Sequence, residues 1–149
     1  MDARTTQMRD AVLLVTDDPD LQAEMAEALE ALGCEIVVAI DHRSAVARIR
    51  EHAPRLICVD LALPRDSGFD LCEFVRSDPV HASVQILVMS DRDTPEDMAD
   101  AEEAGANAFL RKPFPMRQLG GYVAAMRERH PPVHTTIRVL APSTYPPPR

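Results

Sequence analysis

Leu56-Ile57-Cys58-Val59-Asp60 decides the fold: four apolar residues in a row, ended by a carboxylate. A short apolar run with this ending reads as a strand of a parallel sheet. Three further segments repeat the plan. Val12-Leu13-Leu14-Val15 leads through Thr16 to Asp17-Asp18, Ile86-Leu87-Val88-Met89 ends in Ser90, and Ala108-Phe109-Leu110 leads through Arg111 to Lys112. If these four runs are parallel neighbours, their ends bring three carboxylates, a hydroxyl and an ammonium to one edge of a sheet.

The segments between the runs carry helical periodicity. Leu21, Met25, Ala28, Leu29 and Leu32 recur at helical spacing, and Gly33 supplies a stop. Glu35-Ile36-Val37-Val38-Ala39 reads as a further strand, followed by a helix over about 43–52 with Pro54 beyond it. Ser67 and Asp70 have capping-box spacing for a helix reaching about residue 77. Thr94-Pro95 opens another helix, with Thr at the N-cap and Pro in the first turn, ending near Gly105. A last helix over about 115–129 sets Leu119, Tyr122, Val123 and Met126 on one face, weakened by Gly120-Gly121. Strict alternation of this kind predicts an α/β fold: a doubly wound, five-stranded parallel sheet with five helices. In such sheets ligands bind outside the carboxyl ends of the strands, where every one of the polar residues above falls.

Composition sets the boundaries. At 149 residues, 46% hydrophobic and 27% charged, the chain has the makeup of one globular domain. Residues 1–8 read as an N-terminal extension and 9–129 as the folded unit. Residues 130–149 read as a tail with six prolines in twenty residues. Within that tail, Thr135-Thr136-Ile137-Arg138-Val139-Leu140 has the β-branched content of a strand that could pair with a sheet edge. No signal-peptide layout or membrane-length apolar run is present, so a cytoplasmic location is expected. Cys34, Cys58 and Cys72 have no metal-like spacing and read as reduced, buried thiols. The net charge of −8 argues against nucleic acid and anionic membranes as partners.

Clustered carboxylates repel one another, and a divalent cation relieves that conflict. Magnesium suits an oxygen-only site that takes one or two carboxylates, waters and a phosphate; manganese is the alternative ion. A carboxylate can also accept a phosphoryl group as an acyl phosphate, and that transfer needs mainly positioning and charge neutralisation. The cation, Lys112 and Ser90 could each engage one part of the phosphoryl group.

With Leu14-Val15-Thr16-Asp17-Asp18, Val59-Asp60-Leu61-Ala62-Leu63-Pro64 with Ser67-Gly68, Val88-Met89-Ser90 and Gly105-Ala106-Asn107-Ala108-Phe109-Leu110-Arg111-Lys112-Pro113-Phe114 in order, the chain resembles a receiver domain of a two-component response regulator. The resemblance covers residues 9–129. It implies the flavodoxin-like strand order 2-1-3-4-5 and Asp60 as phosphoacceptor. It implies a magnesium ion held by Asp18 and Asp60 directly, by Asp17 largely through water, and by the backbone carbonyl of Ala62. It also implies Ser90 as the switch hydroxyl, Phe109 as the switch aromatic, Lys112 as the phosphoryl-pairing cation, and a cis bond at Lys112-Pro113. The implied partners are a histidine kinase or histidine phosphotransfer protein upstream, and a protein docked on the fourth helix, fifth strand and fifth helix downstream. With no output domain following, signalling by protein contact is expected, from a monomer or weak homodimer and without self-standing enzyme turnover.

One departure stands out. The residue after the switch hydroxyl is usually small, and here it is Asp91, followed by Arg92. Asp91 should repel an anionic phosphodonor, with Arg92 a candidate to offset it. Plainer readings exist for the same residues. Asp18 before Pro19 suits a helix cap, and the acidic stretch from Glu96 to Glu103 suits a solvated helix face. At the level of the chain, the rivals are a receiver-like scaffold that works without phosphorylation and an aspartate-nucleophile phosphatase. Adjacent Asp17-Asp18 rather than an Asp-x-Asp pair argues against the phosphatase. The absence of a phosphate-cradling Gly and Ser/Thr loop after the first strand argues against flavin.

Overall fold

The computed structural model describes residues 10–63, 68–127 and 138–139. Strands and helices alternate: β1 (Asp10–Val15), α1 (Pro19–Ala31), β2 (Cys34–Ala39), α2 (His42–His52), β3 (Leu56–Asp60), α3 (Gly68–Ser77), β4 (Gln85–Ser90), α4 (Pro95–Ala104), β5 (Ala108–Arg111), a 3-10 turn (Met116–Gln118), α5 (Leu119–Arg127) and β6 (Arg138–Val139). All paired strands are parallel, in the order β2-β1-β3-β4-β5-β6. The expected 2-1-3-4-5 order therefore holds, and a sixth short strand is added outside β5. Its pairing with Ala108 and Phe109 covers part of an edge that would otherwise present unpaired backbone groups. The rest of the proline-rich tail, the capping role of Ser67 and the end of the last helix lie outside the described residues.

Strand parity explains the layers. Val12, Leu14, Leu56, Cys58, Leu87, Met89 and Leu110 face one side of the sheet, where Leu21, Met25 and Leu29 of α1 and Leu119, Tyr122 and Val123 of α5 cover them. Leu13, Val15, Ile57, Val59, Ile86, Val88 and Phe109 face the other, under Ile49 of α2, Leu71 and Val75 of α3, and Ala101 and Ala104 of α4. Val12 to Val15 are fully shielded, as a central strand covered on both faces must be. Each such valine or leucine stabilises the fold by roughly 1.5–3 kcal/mol.

Helix ends follow local chemistry. Asp18 caps α1, its Oδ1 accepting from the amides of Asp20 and Leu21. Asp41 and Ser44 form a reciprocal capping box on α2. The Thr94 hydroxyl accepts from the Asp97 amide, with Pro95 in the first turn, as expected. α4 ends at Gly105, whose φ of +103° few side-chain-bearing residues adopt. At the opposite pole of the sheet from the polar residues, Arg76 ties α3 to the neighbouring loops. Its guanidinium donates to the carbonyls of Ala82, Val84 and Gly105 and to Asn107 Oδ1, all between 2.7 and 2.8 Å.

Candidate phosphoacceptor pocket

Asp60 sits at the carboxyl end of β3, in the middle of the sheet, and is 1% exposed. Its Oδ1 accepts from Lys112 Nζ and from the Ala62 amide, each at 2.9 Å. Its Oδ2 accepts from the Thr16 hydroxyl at 2.7 Å. Four elements converge here because the strands end in step. Val15 pairs with Val59, Asp60 pairs with Met89, and Ser90 pairs with Arg111, the residue before Lys112. The Lys112 amide donates to the Ser90 carbonyl at 2.7 Å, fixing where the ammonium emerges. The Lys112–Pro113 bond is cis, as the resemblance implies.

Ser90 is buried beside this pair, and its Oγ accepts from the Arg92 amide at 3.0 Å. The Phe109 ring is completely shielded on the α4 side of the sheet. Asp18 and Asp17 are exposed. Asp18, Asp91 and Lys112 share the walls of a cleft of about 350 Å³. Ala62, Ser90 and Asp91 share a second cleft of about 200 Å³. Asp91 thus lines both clefts, one holding Lys112 and the other Ala62, two of the Asp60 partners. Arg92, the candidate to offset it, has its guanidinium 3.3 Å from the Asp97 carboxylate of α4.

The plainer reading of Asp18 as a helix cap is correct as geometry, and it is compatible with a metal role. The cap's hydrogen bonds end on Oδ1, so Oδ2 remains as a donor. Among the described residues no three carboxylate, histidine or cysteine side chains lie close enough together to hold an ion in common. The donor set still fits magnesium, which needs only one or two carboxylates and keeps several waters. Cys58 and Cys72 do not compete as nucleophiles: burial pushes the Cys72 thiol up to about 12 and raises that of Cys58 as well.

Thr16 is the residue that motif reading passed over. A signal for it exists: it is a polar residue at the end of an apolar run, one step beyond Val15, as Asp60 is one step beyond Val59. Gly68 is another. A Cβ there would lie 2.7 Å from Val59 Cγ1 and 2.8 Å from Leu61 Cδ2, so the start of α3 can approach β3 only as glycine.

Residues 12–124 match the family model for the response regulator receiver domain. The chain belongs to that family. Protein PilG of Pseudomonas aeruginosa is 28% identical over 87% of this chain and 93% of that protein. The DNA-binding response regulator MtrA of Mycolicibacterium smegmatis is 32% identical over 83% of this chain, which spans 53% of that longer protein. Among solved structures, the chemotaxis response regulator CheY4 of Vibrio cholerae superposes with a TM-score of 0.74 at 25% identity, over 80% of this chain and 99% of that one. This receiver is therefore a two-component signalling module rather than a conventional enzyme, and receivers generally bind magnesium through their acidic pocket. Among the described residues no helix is long and apolar enough to cross a membrane.

Proposed function

We propose that this receiver accepts a phosphoryl group on Asp60 from a histidine kinase or histidine phosphotransfer protein, and signals by protein contact. The observation that carries the reading is the shielded Asp60 carboxylate with Lys112 Nζ 2.9 Å from Oδ1. A buried carboxylate is costly unless paired and hydrogen-bonded, and here the partners sit where a phosphoryl group would need them. In the transfer, an Asp60 oxygen bonds to phosphorus as the bond from phosphorus to the donor nitrogen breaks, and that electron pair stays on the donor imidazole.

Lys112 would follow the charge onto the phosphoryl oxygens, with the Ala62 amide beside it. Ser90 would turn from the Arg92 amide towards the new oxygens, and the Phe109 ring would turn inward as the hydroxyl moves. Asp18 and Asp60, with the Ala62 carbonyl and Asp17 through water, would hold magnesium. The ion would neutralise charge that develops between carboxylate and phosphoryl group. The bias a switch needs is only a few kcal/mol.

The receiver proper spans 9–129, with 1–8 and 130–149 as extensions, and it works in the cytoplasm as a monomer or weak homodimer. The downstream surface is the face of α4, β5 and α5. β6 borders it, so a partner there meets tail backbone as well as receiver.

Binding of beryllofluoride, a phosphoryl analogue, tests this reading against a phosphorylation-independent scaffold. NMR shifts at Asp60, Ser90 and Lys112 that require both magnesium and beryllofluoride are expected. Absence of binding at millimolar magnesium would favour the scaffold.

A further inference from the structure

Thr16 ends the apolar run of β1 with a hydroxyl that is completely shielded from solvent. Oγ1 donates to Asp60 Oδ2 at 2.7 Å and accepts from the Asp18 amide at 3.1 Å. The Asp18 amide thereby orients the hydroxyl, and its hydrogen is committed to Asp60. The other oxygen, Oδ1, has Lys112 Nζ and the Ala62 amide. A carboxylate offers about four lone-pair sites, and the two oxygens are held by unlike donors on opposite sides. Lys112 is 18% exposed at its side chain and lines the larger cleft, whereas Thr16 has no exposure. An incoming phosphoryl group can reach the Lys112 side and not the Thr16 side.

We propose that Thr16 is a positioning residue that shortens the phosphorylated state, by fixing Oδ2 inward as the oxygen that becomes the acyl carbonyl and leaving Oδ1 to carry the phosphoryl group. The proposal rests on Asp60 as phosphoacceptor. A hydroxyl bonds an ionised carboxylate more strongly than a neutral acyl carbonyl. During hydrolysis the oxygen of a water bonds to phosphorus, the bond from phosphorus to Oδ1 breaks, and its electron pair returns to the carboxylate. The proton released by the water passes to solvent, and inorganic phosphate leaves. The returning charge is shared with Oδ2, where the Thr16 hydroxyl is already aligned to meet it. Thr16 therefore stabilises the dephosphorylated side of the reaction.

The test is the half-life of the acyl phosphate after labelling with acetyl phosphate and magnesium and removal of the donor. Thr16→Val keeps the β-branched shape and removes the hydroxyl; its phosphorylated form should last about five times longer than wild type, the scale of one charge-assisted hydrogen bond partly lost. Thr16→Ala should lengthen it too, and Thr16→Ser should restore the wild-type half-life. Rescue by serine separates the hydroxyl from packing. Equal half-lives for wild type and both hydroxyl-free variants, or a serine variant as slow as valine, would overturn the proposal. Whether wild type takes up label at all is read first, and reports on Asp60 alone.

Discussion

Asp91 is exposed and lines both the cleft that holds Lys112 and the cleft that holds Ala62, and Arg92 beside it is engaged with Asp97. Its charge therefore faces any anion approaching Lys112. At about 4 Å in water a unit charge pair is worth about 1 kcal/mol, so Asp91→Ala should raise the phosphorylation rate with acetyl phosphate about threefold or more. The gain should shrink at high salt, because exposed charges are screened. An unchanged initial rate at low ionic strength would show that Asp91 does not gate the donor. At this scale Asp18, Asp60 and Lys112 were legible, because each ends or follows an apolar run. Thr16 was hidden by its neighbours. In Val15-Thr16-Asp17 it looks like the start of a loop, and only the register with β3 reveals a second side-chain donor for Asp60.

Two elements carry opposite expectations. α5 runs through Gly120 and Gly121, and a Cβ at either would meet nothing within 4 Å. No packing demand accounts for the glycines, so their cost in helix propensity stands. Gly121→Ala should stabilise the fold by roughly 0.5–1 kcal/mol in urea denaturation; a loss of stability would mean that α5 needs the backbone freedom. Arg76 is the reverse case. In the last turn of α3 it satisfies three carbonyls and Asn107 across three other segments. Burial also lowers its pKa. Arg76→Ala should cost about 3 kcal/mol by stranding those acceptors, with the same denaturation midpoint assay as the check. The helix itself was legible from the capping-box spacing of Ser67 and Asp70. The clamp was not, because its partners come from the approach to β4, the end of α4 and the start of β5, distant in sequence and joined only by the fold.

For the molecule as a whole, one sheet separates two tasks. The amino ends of the strands are locked by long-range pairs. Asp10 of β1 binds both Arg55, at 2.9 Å, and Arg127 of α5. The carboxyl ends hold the pocket, where polar groups are clustered at a cost in stability that only function explains. Alternation of apolar runs and helical periods made this architecture readable, since both faces of a parallel sheet must be covered and its ends must be polar. β6 was readable only as a β-branched stretch, because nothing local says which edge it would join. The proposed signalling depends on Asp60 receiving the phosphoryl group. The measurement that tests it most directly is transfer of labelled phosphoryl from a phosphorylated histidine kinase or phosphotransfer protein to wild-type and Asp60→Asn protein, with magnesium and with the ion chelated. Label on wild type with magnesium only, and none on Asp60→Asn, is the predicted result; label that persists on folded Asp60→Asn would contradict it.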